Sequence, residues 1–295
     1  MNGFINVLKP PGMTSSQVVG FVRRLLDGQK AGHAGTLDPQ AAGILPVMVG
    51  KAARLFDYLV DKQKAYVAEI AFGTATDTQD AQGKIIAQGD QYPTYAQVHD
   101  VLPRFIGQVL QAPPSYSAIK QNGQRLYDLA RKGELVKTQP RLIQIDDITL
   151  GEEMQDHGMM LHIHCGKGTY VRTICHDIGQ ALSCPAHMRF LLRTKSGVFT
   201  LDNAFTLEQL QAAKEEGKLL ECLLPMDLPL MHLPSGIVPP NLAVICKNGG
   251  QMPLLAFPAF ANIMEGALLR LYLDNAFMGI ACRKGDIIAF RAMVG

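Results

Sequence analysis

The sequence predicts an α+β fold on a mixed, mainly antiparallel sheet, followed by a small β-rich module. Three observations predict it. Helical and strand patterns both occur up to about residue 235, without the strict alternation that a parallel sheet requires. Prolines at 225, 229, 234, 239 and 240 then interrupt regular structure and read as a linker. Beyond them, short apolar runs separated by turn residues read as strands.

In chain order, Gln17 to Leu26 places Val18, Phe21, Val22 and Leu25 on one helical face. Tyr66 to Phe72 has strand composition, and Leu161-His162-Ile163-His164-Cys165 alternates as a strand does. After Gly166-Lys167-Gly168, Thr169 can cap a helix whose apolar face is Ile174, Ile178 and Leu182. In the C-terminal module, Ala267 to Leu273 and Met278 to Arg283 flank the turn pair Asp274-Asn275, and Asp286 to Val294 follows. No repeat or low-complexity tract occurs.

With 47% apolar and 18% charged residues, the 295-residue chain has the composition of a packed globular protein. Its longest apolar stretch, Leu254 to Met264, is broken by Pro258 and Asn262 and is shorter than the roughly 18 residues of a spanning helix. Met1 to Lys9 lacks the basic start, apolar core and cleavage site of a secretion signal, so a cytoplasmic location is expected. Six cysteines without a repeated spacing read as reduced thiols.

The net charge is only +2, but its distribution is uneven. Between Arg104 and Arg141 seven lysines and arginines stand against two acids, and between His162 and Lys195 five stand against one. Two basic stretches suggest contact with an anionic polymer. A solvated face explains either one alone equally well. Tyr66 follows Lys62 and Lys64, while Tyr116, Lys120, Arg125, Tyr127 and Arg131 interleave aromatic with basic groups. That mixture suits unpaired RNA, with rings stacking on bases and cations meeting phosphates.

One loop carries the candidate chemistry, Gly32-His33-Ala34-Gly35-Thr36-Leu37-Asp38-Pro39. Its glycines permit backbone angles closed to other residues, and Pro39 holds Asp38 out of the helical region. A carboxylate of fixed direction can serve as a nucleophile. Asp-Pro followed by Gln40-Ala41-Ala42 also reads as a helix start, with Asp38 as the cap. Arg172, near the start of the helix after Gly168, is the natural partner of Asp38, because an arginine fork orients a carboxylate and keeps it ionised. A structural ion pair elsewhere accounts for Arg172 as well.

Gly166-Lys167-Gly168-Thr169 before a helix resembles an anion cradle. It lacks the Walker pattern, and Ala52 follows Gly50-Lys51 where a P-loop has Ser or Thr. His162, His164, Cys165, Cys175, His176, Cys184 and His187 crowd one region without the paired spacing of a zinc site, so no metal is expected.

Further motifs extend the pattern. They are Lys9-Pro10-Pro11-Gly12-Met13-Thr14-Ser15, Gly43-Ile44-Leu45-Pro46, Lys64-Ala65-Tyr66 and Thr76-Asp77-Thr78-Gln79-Asp80. Then come Pro113 to Lys120, Tyr127 with Ala130-Arg131, Gly168-Thr169-Tyr170-Val171-Arg172 and Leu191-Leu192-Arg193-Thr194. In this order, across about residues 3 to 200, they resemble the TruB family of bacterial tRNA pseudouridine(55) synthases.

The resemblance implies a sheet of the pseudouridine synthase type over residues 1–235, with an RNA-gripping insertion at about 113–141. It implies a PUA-like RNA-binding domain over 236–295. Asp38 would be the nucleophile, Arg172 its partner, and Tyr66 a ring that stacks on the uracil and assists proton removal. His33 would fill the gap left by a flipped nucleotide, Lys9 and Pro10 would support the tyrosine and the loop, and Leu191 would line the base pocket. Asp80, Tyr170, Lys120, Arg125 and Arg131 fall among the implied substrate- and RNA-binding positions. The implied partner is the T-arm of tRNA, bound by a monomer without a cofactor. Whether Asp38 adds to C6, acts at the sugar C1′ or follows an elimination stays open. The alternative is a tRNA-binding or RNA-folding protein without catalysis, and a phosphate-handling enzyme is a third class.

Overall fold

The computed structural model describes residues 1–59, 63–114 and 138–295, with the backbone of 120–121 and 124–125. Its strands begin with β1 (Gly3–Lys9), β2 (Ala31–His33), β3 (Ala42–Val49), β4 (Lys64–Phe72), β5 (Thr74–Thr76) and β6 (Ile85–Gln88). They continue with β7 (Gly107–Gln111), β8 (Lys120–Gln121), β9 (Gln124–Arg125), β10 (Arg141–Met154), β11 (Gly158–Cys165), β12 (Ala186–Ser196) and β13 (Phe199–Thr200). The last are β14 (Ser235–Ile237), β15 (Met252–Pro253), β16 (Leu268–Leu273), β17 (Ala276–Lys284) and β18 (Ile287–Met293).

The main sheet runs β1-β3-β12-β4-β11-β10-β7, with β2 on β3 and β13 on β12. Every pair in it is antiparallel except β12 with β3, which meet only at Leu192↔Ala42 and Arg193↔Gly43. β4 is buried along almost its whole length, as a central strand covered on both faces must be. β10 keeps one solvent face and alternates instead. The α+β architecture with a mixed sheet is thus present, and a second sheet, β14-β16-β17-β18-β15, forms the C-terminal module.

Local signals explain the helices and turns. Helix Ser15–Leu25 starts at Thr14, whose side chain accepts from the Gln17 N–H while the Gln17 side chain accepts from the Thr14 N–H. It buries Val18, Val22 and Leu25 against Ile5, Val47 and Val49. Helix Val171–Ala181 buries Ile174, Cys175 and Ile178 in the core beneath β4 and β12. Asp274 and Asn275 both adopt positive φ, at 50° and 65°, and form the two-residue hairpin loop between β16 and β17.

Three expectations need correction. Thr169 does not cap its helix: Tyr170 is the capping residue and has no side-chain cap bond. The Thr169 hydroxyl turns back to the Gly166 carbonyl at 3.3 Å. Asp38-Pro39-Gln40 opens no helix either, because the Ala41 N–H bonds to the Asp38 carbonyl in a turn that delivers the chain straight into β3. The proline-rich stretch is not a free linker. Leu224 exchanges both backbone hydrogen bonds with Phe4, and Pro229 and Leu230 are buried. Around it, Phe4, Ile44, Leu55, Ile280, Ala292 and Val294 form one core that welds the C-terminal sheet to the back of β1 and β3. All six cysteines are buried free thiols. Among the described residues no helix is long and apolar enough to cross a membrane.

Candidate active site

The sheet register places the site. Tyr66 on β4 lies opposite Arg193 on β12, and Ala68 opposite Leu191, so alternation turns Tyr66, Arg193 and Leu191 to one face. That face meets the loop Gly35–Asp38 on one side. On the other is the segment Gly166–Tyr170, which opens helix Val171–Ala181. Between them is a cleft of about 270 Å³. Tyr66 and Leu191 are both 8% exposed at its wall.

Arg172 enters from the second position of that helix. Gln111 fixes the helix start by holding the Tyr170 backbone at both ends, accepting from its N–H at 2.8 Å and donating to its carbonyl at 3.0 Å. The Arg172 side chain is 6% exposed, and its Nη2 lies 3.2 Å from Asp38 Oδ1 and 3.1 Å from Oδ2. Its Nη1 lies 3.5 Å from Asp80 Oδ2. Asp80 is itself oriented, since its Oδ1 accepts from the Thr78 hydroxyl at 2.7 Å and the Gln82 N–H at 3.0 Å. One guanidinium therefore serves two carboxylates. The Tyr170 ring lies against it, 6.0 Å from the guanidinium carbon.

Electrostatics around Asp38 are contested. Its side chain remains 36% open to the cleft, yet the surrounding protein removes enough water to push its pKa up. Arg172 and Lys9 oppose that shift, and Asp80 adds to it. Desolvation outweighs Arg172, so the net shift is upward even though the arginine pairs with the carboxylate as the sequence suggested. Burial also raises the Tyr66 pKa, against the Arg193 cation beside its hydroxyl, so the phenol is neutral at physiological pH. For His33, at the end of β2, burial and then Arg193 lower the pKa, and the ring is neutral too.

Lys9 ends β1 and is fully buried beneath the loop. Its ammonium donates to the carbonyls of Pro10 and Pro39 at 2.9 Å and of Ala41 at 2.7 Å. Asp38, Arg172, Tyr66, Tyr170, Leu191, Asp80 and Lys9 thus come together, with Pro10 and His33 at the loop's flanks. Lys120 and Arg125 are described only as backbone in a two-stranded hairpin, and Arg131 lies outside the described residues. His162 and His164 are exposed on the outer face of β11. Among the described residues no three metal-ligating side chains converge.

Sequence reasoning missed the supports of the loop. Ser15 is 3% exposed and makes two hydrogen bonds to Leu37, while Arg193 is 1% exposed and binds the carbonyls of Gly35, Thr36 and Ile44. Arg193 carried a signal: it stands two residues from Leu191, at an inward position of an alternating strand.

The N-terminal domain of TruB family pseudouridylate synthases matches residues 23–171, and the tRNA pseudouridylate synthase B C-terminal domain matches 172–231. The chain is 40% identical over 286 residues to a protein named tRNA pseudouridine synthase B from Alkaliphilus oremlandii, covering 97% of this chain and 94% of that one. It is 44% identical over 293 residues to the protein of that name from Caldanaerobacter subterraneus subsp. tengcongensis, covering 98% and 97%. A chain in the crystal structure of a Cbf5-Nop10-Gar1 complex shares the fold with a TM-score of 0.75 at 26% identity, over 99% of this chain and 84% of that one. The chain belongs to the TruB family of pseudouridylate synthases.

Proposed function

We propose that the cleft isomerises uridine to pseudouridine in tRNA, at position 55 of the T-loop, with Asp38 as nucleophile toward a flipped nucleotide. One arrangement carries this reading: a carboxylate gripped by Arg172 on the floor of a cleft whose wall is the Tyr66 ring. Relatives that match nearly the whole chain bear the name of a tRNA pseudouridine synthase. The reaction exchanges the N1–C1′ bond for a C5–C1′ bond, while C5 loses a proton and N1 gains one. No electrons leave or enter, so a nucleophile, a proton acceptor and room for the base to turn suffice.

Extruding a nucleotide costs a few kcal/mol, and stacking on Tyr66 with Leu191 beneath offsets part of it. His33, kept neutral, can enter the vacated position without burying a charge. Arg172 orients Asp38, Asp80 steadies Arg172, Tyr170 lies beside the guanidinium, and Lys9 with Pro10 supports the loop from below. In this reading Lys120, Arg125 and Arg131 meet the T-arm phosphates, and residues 236–295 form a PUA-like RNA-binding domain. The protein would act as a monomer in the cytoplasm.

The test is tritium release from an unmodified tRNA transcript labelled at uridine C5. The natural chain should release tritium, whereas Asp38→Asn should bind the transcript and release none. Turnover by Asp38→Asn would remove Asp38 as the nucleophile, and release by neither protein would favour a binding or folding role.

A further inference from the structure

The loop that carries Asp38 belongs to no helix or strand, yet distant buried side chains hold its backbone. Ser15 Oγ accepts from the Leu37 N–H at 2.9 Å and donates to the Leu37 carbonyl at 3.0 Å. A single hydroxyl therefore satisfies both polar groups of the residue before Asp38. Helix Ser15–Leu25 has no need of that hydroxyl, because Thr14 and Gln17 already cap it. On the other side Arg193 donates from Nη2 to the Gly35 carbonyl and from Nη1 to the Thr36 carbonyl, both at 3.3 Å. Its Nε holds the Ile44 carbonyl of β3 at 2.7 Å. The planar fork thus ties the loop to β3 on the face it shares with Tyr66.

We propose that Ser15 and Arg193 are positioning residues, a two-sided clamp on residues 35–37 that sets the direction of the Asp38 carboxylate toward the bound base. The clamp works through the loop backbone, and it rests on the reading of Asp38 as nucleophile. Misplacing a reacting group by about 1 Å can cost on the order of 100-fold in rate, whereas tRNA binding draws on a far wider surface. Loosening Leu37 should therefore strike turnover and spare binding. It should also admit water to Asp38 and relieve the desolvation that raises its pKa.

The decisive variant is Ser15→Ala, which removes one buried hydroxyl and no charge. Its control is Thr206→Ala, which removes the cap of helix Leu207–Glu215, a helix that contributes no residue to the cleft. In tritium release, Ser15→Ala should lower kcat about 10- to 100-fold with KM for tRNA within about twofold, and should move the acid limb of kcat to lower pH. Thr206→Ala should lower Tm and leave kcat intact. Arg193→Lys keeps the charge without the fork and should also lower kcat; if it fails to fold, Ser15→Ala still decides. A Ser15→Ala protein with normal kcat, or with a rise in KM that accounts for its whole loss, overturns the clamp. Activity in Asp38→Asn would instead strike the nucleophile reading, so the two failures are distinguishable.

Discussion

Raising the pH should disable the loop from below without unfolding the protein. All three N–H bonds of the Lys9 ammonium go to carbonyls, and two of those, on Pro39 and Ala41, follow Asp38 closely. Burial pushes the Lys9 pKa down from 10.5 to about 8; the Asp38 carboxylate opposes that shift and Arg193 adds to it. The folded chain therefore releases this proton before the unfolded chain does. Between about pH 8 and 10.5 the unfolded state binds more protons, so this group's contribution to stability rises with pH, by at most about 3 kcal/mol. Activity should move the opposite way. A neutral amine offers two N–H bonds to three carbonyls, and the positive charge beside Asp38 is gone. The assay is single-turnover tritium release from about pH 6.5 to about pH 9.5, with urea unfolding at each pH. Lys9→Arg, which stays charged, is the reference, because the uracil imide of the substrate titrates on the alkaline side as well. The natural chain should lose turnover above about pH 8 while gaining stability relative to Lys9→Arg. Turnover that stays flat across this range, or that falls identically in Lys9→Arg, would refute the assignment.

Three further outcomes follow from the same geometry. Asp38→Asn should be more stable than the natural chain at neutral pH, because the fold resists the charged carboxylate; the difference should vanish as pH falls to the ordinary carboxylate range, measured as Tm against pH. Arg172→Met should cost roughly 2–4 kcal/mol in urea unfolding, somewhat below the usual range for orphaning a buried charge because Asp38 is 36% open, and should raise the pH of any remaining acid limb. Gly43→Ala should fail to fold or lose more than about 3 kcal/mol: Gly43 has φ +113°, and a Cβ there would stand 2.2 Å from the Arg193 carbonyl oxygen. A Gly43→Ala protein within about 1 kcal/mol of the natural chain would contradict the close approach of β3 and β12.

Much of this architecture was legible because its signals are local. Alternation in Leu161 to Cys165 and the Asp274-Asn275 pair each name a strand or a turn without reference to distant residues. The Asp38 loop was legible for a similar reason, since Gly35 does take positive φ at 112°. Asp-Pro was ambiguous because capping and turn chemistry share residue types, and the entry of the chain into β3 decided between them. Likewise, Thr169 had the right chemistry for a cap but lost the position to Tyr170, whose backbone Gln111 holds from β7, 59 residues away. The roles of Ser15 and Arg193 were hidden for the same reason. Their partners are carbonyls and amides, which every residue carries, so residue type gives no hint of the pairing.

The charges around Asp38 show why its cations are arranged as they are. Burial makes the carboxylate more basic, which favours attack, but it also favours the protonated form, which cannot attack. A bound RNA would cover the open third of the side chain and strengthen both effects. Pairing Asp38 with further cations would favour its ionised form but, on the proposed reading, would occupy the oxygens that attack. The structure separates the two tasks. Among the described residues, Arg172 bonds to the carboxylate through one nitrogen while its other nitrogen is drawn toward Asp80. Lys9 brings positive charge near but directs its N–H bonds to backbone carbonyls, and Arg193 grips the carbonyls of the loop. Lys9 can thus support the anion at a distance while both residues fix the backbone that carries it, and one face of Asp38 stays open to the cleft.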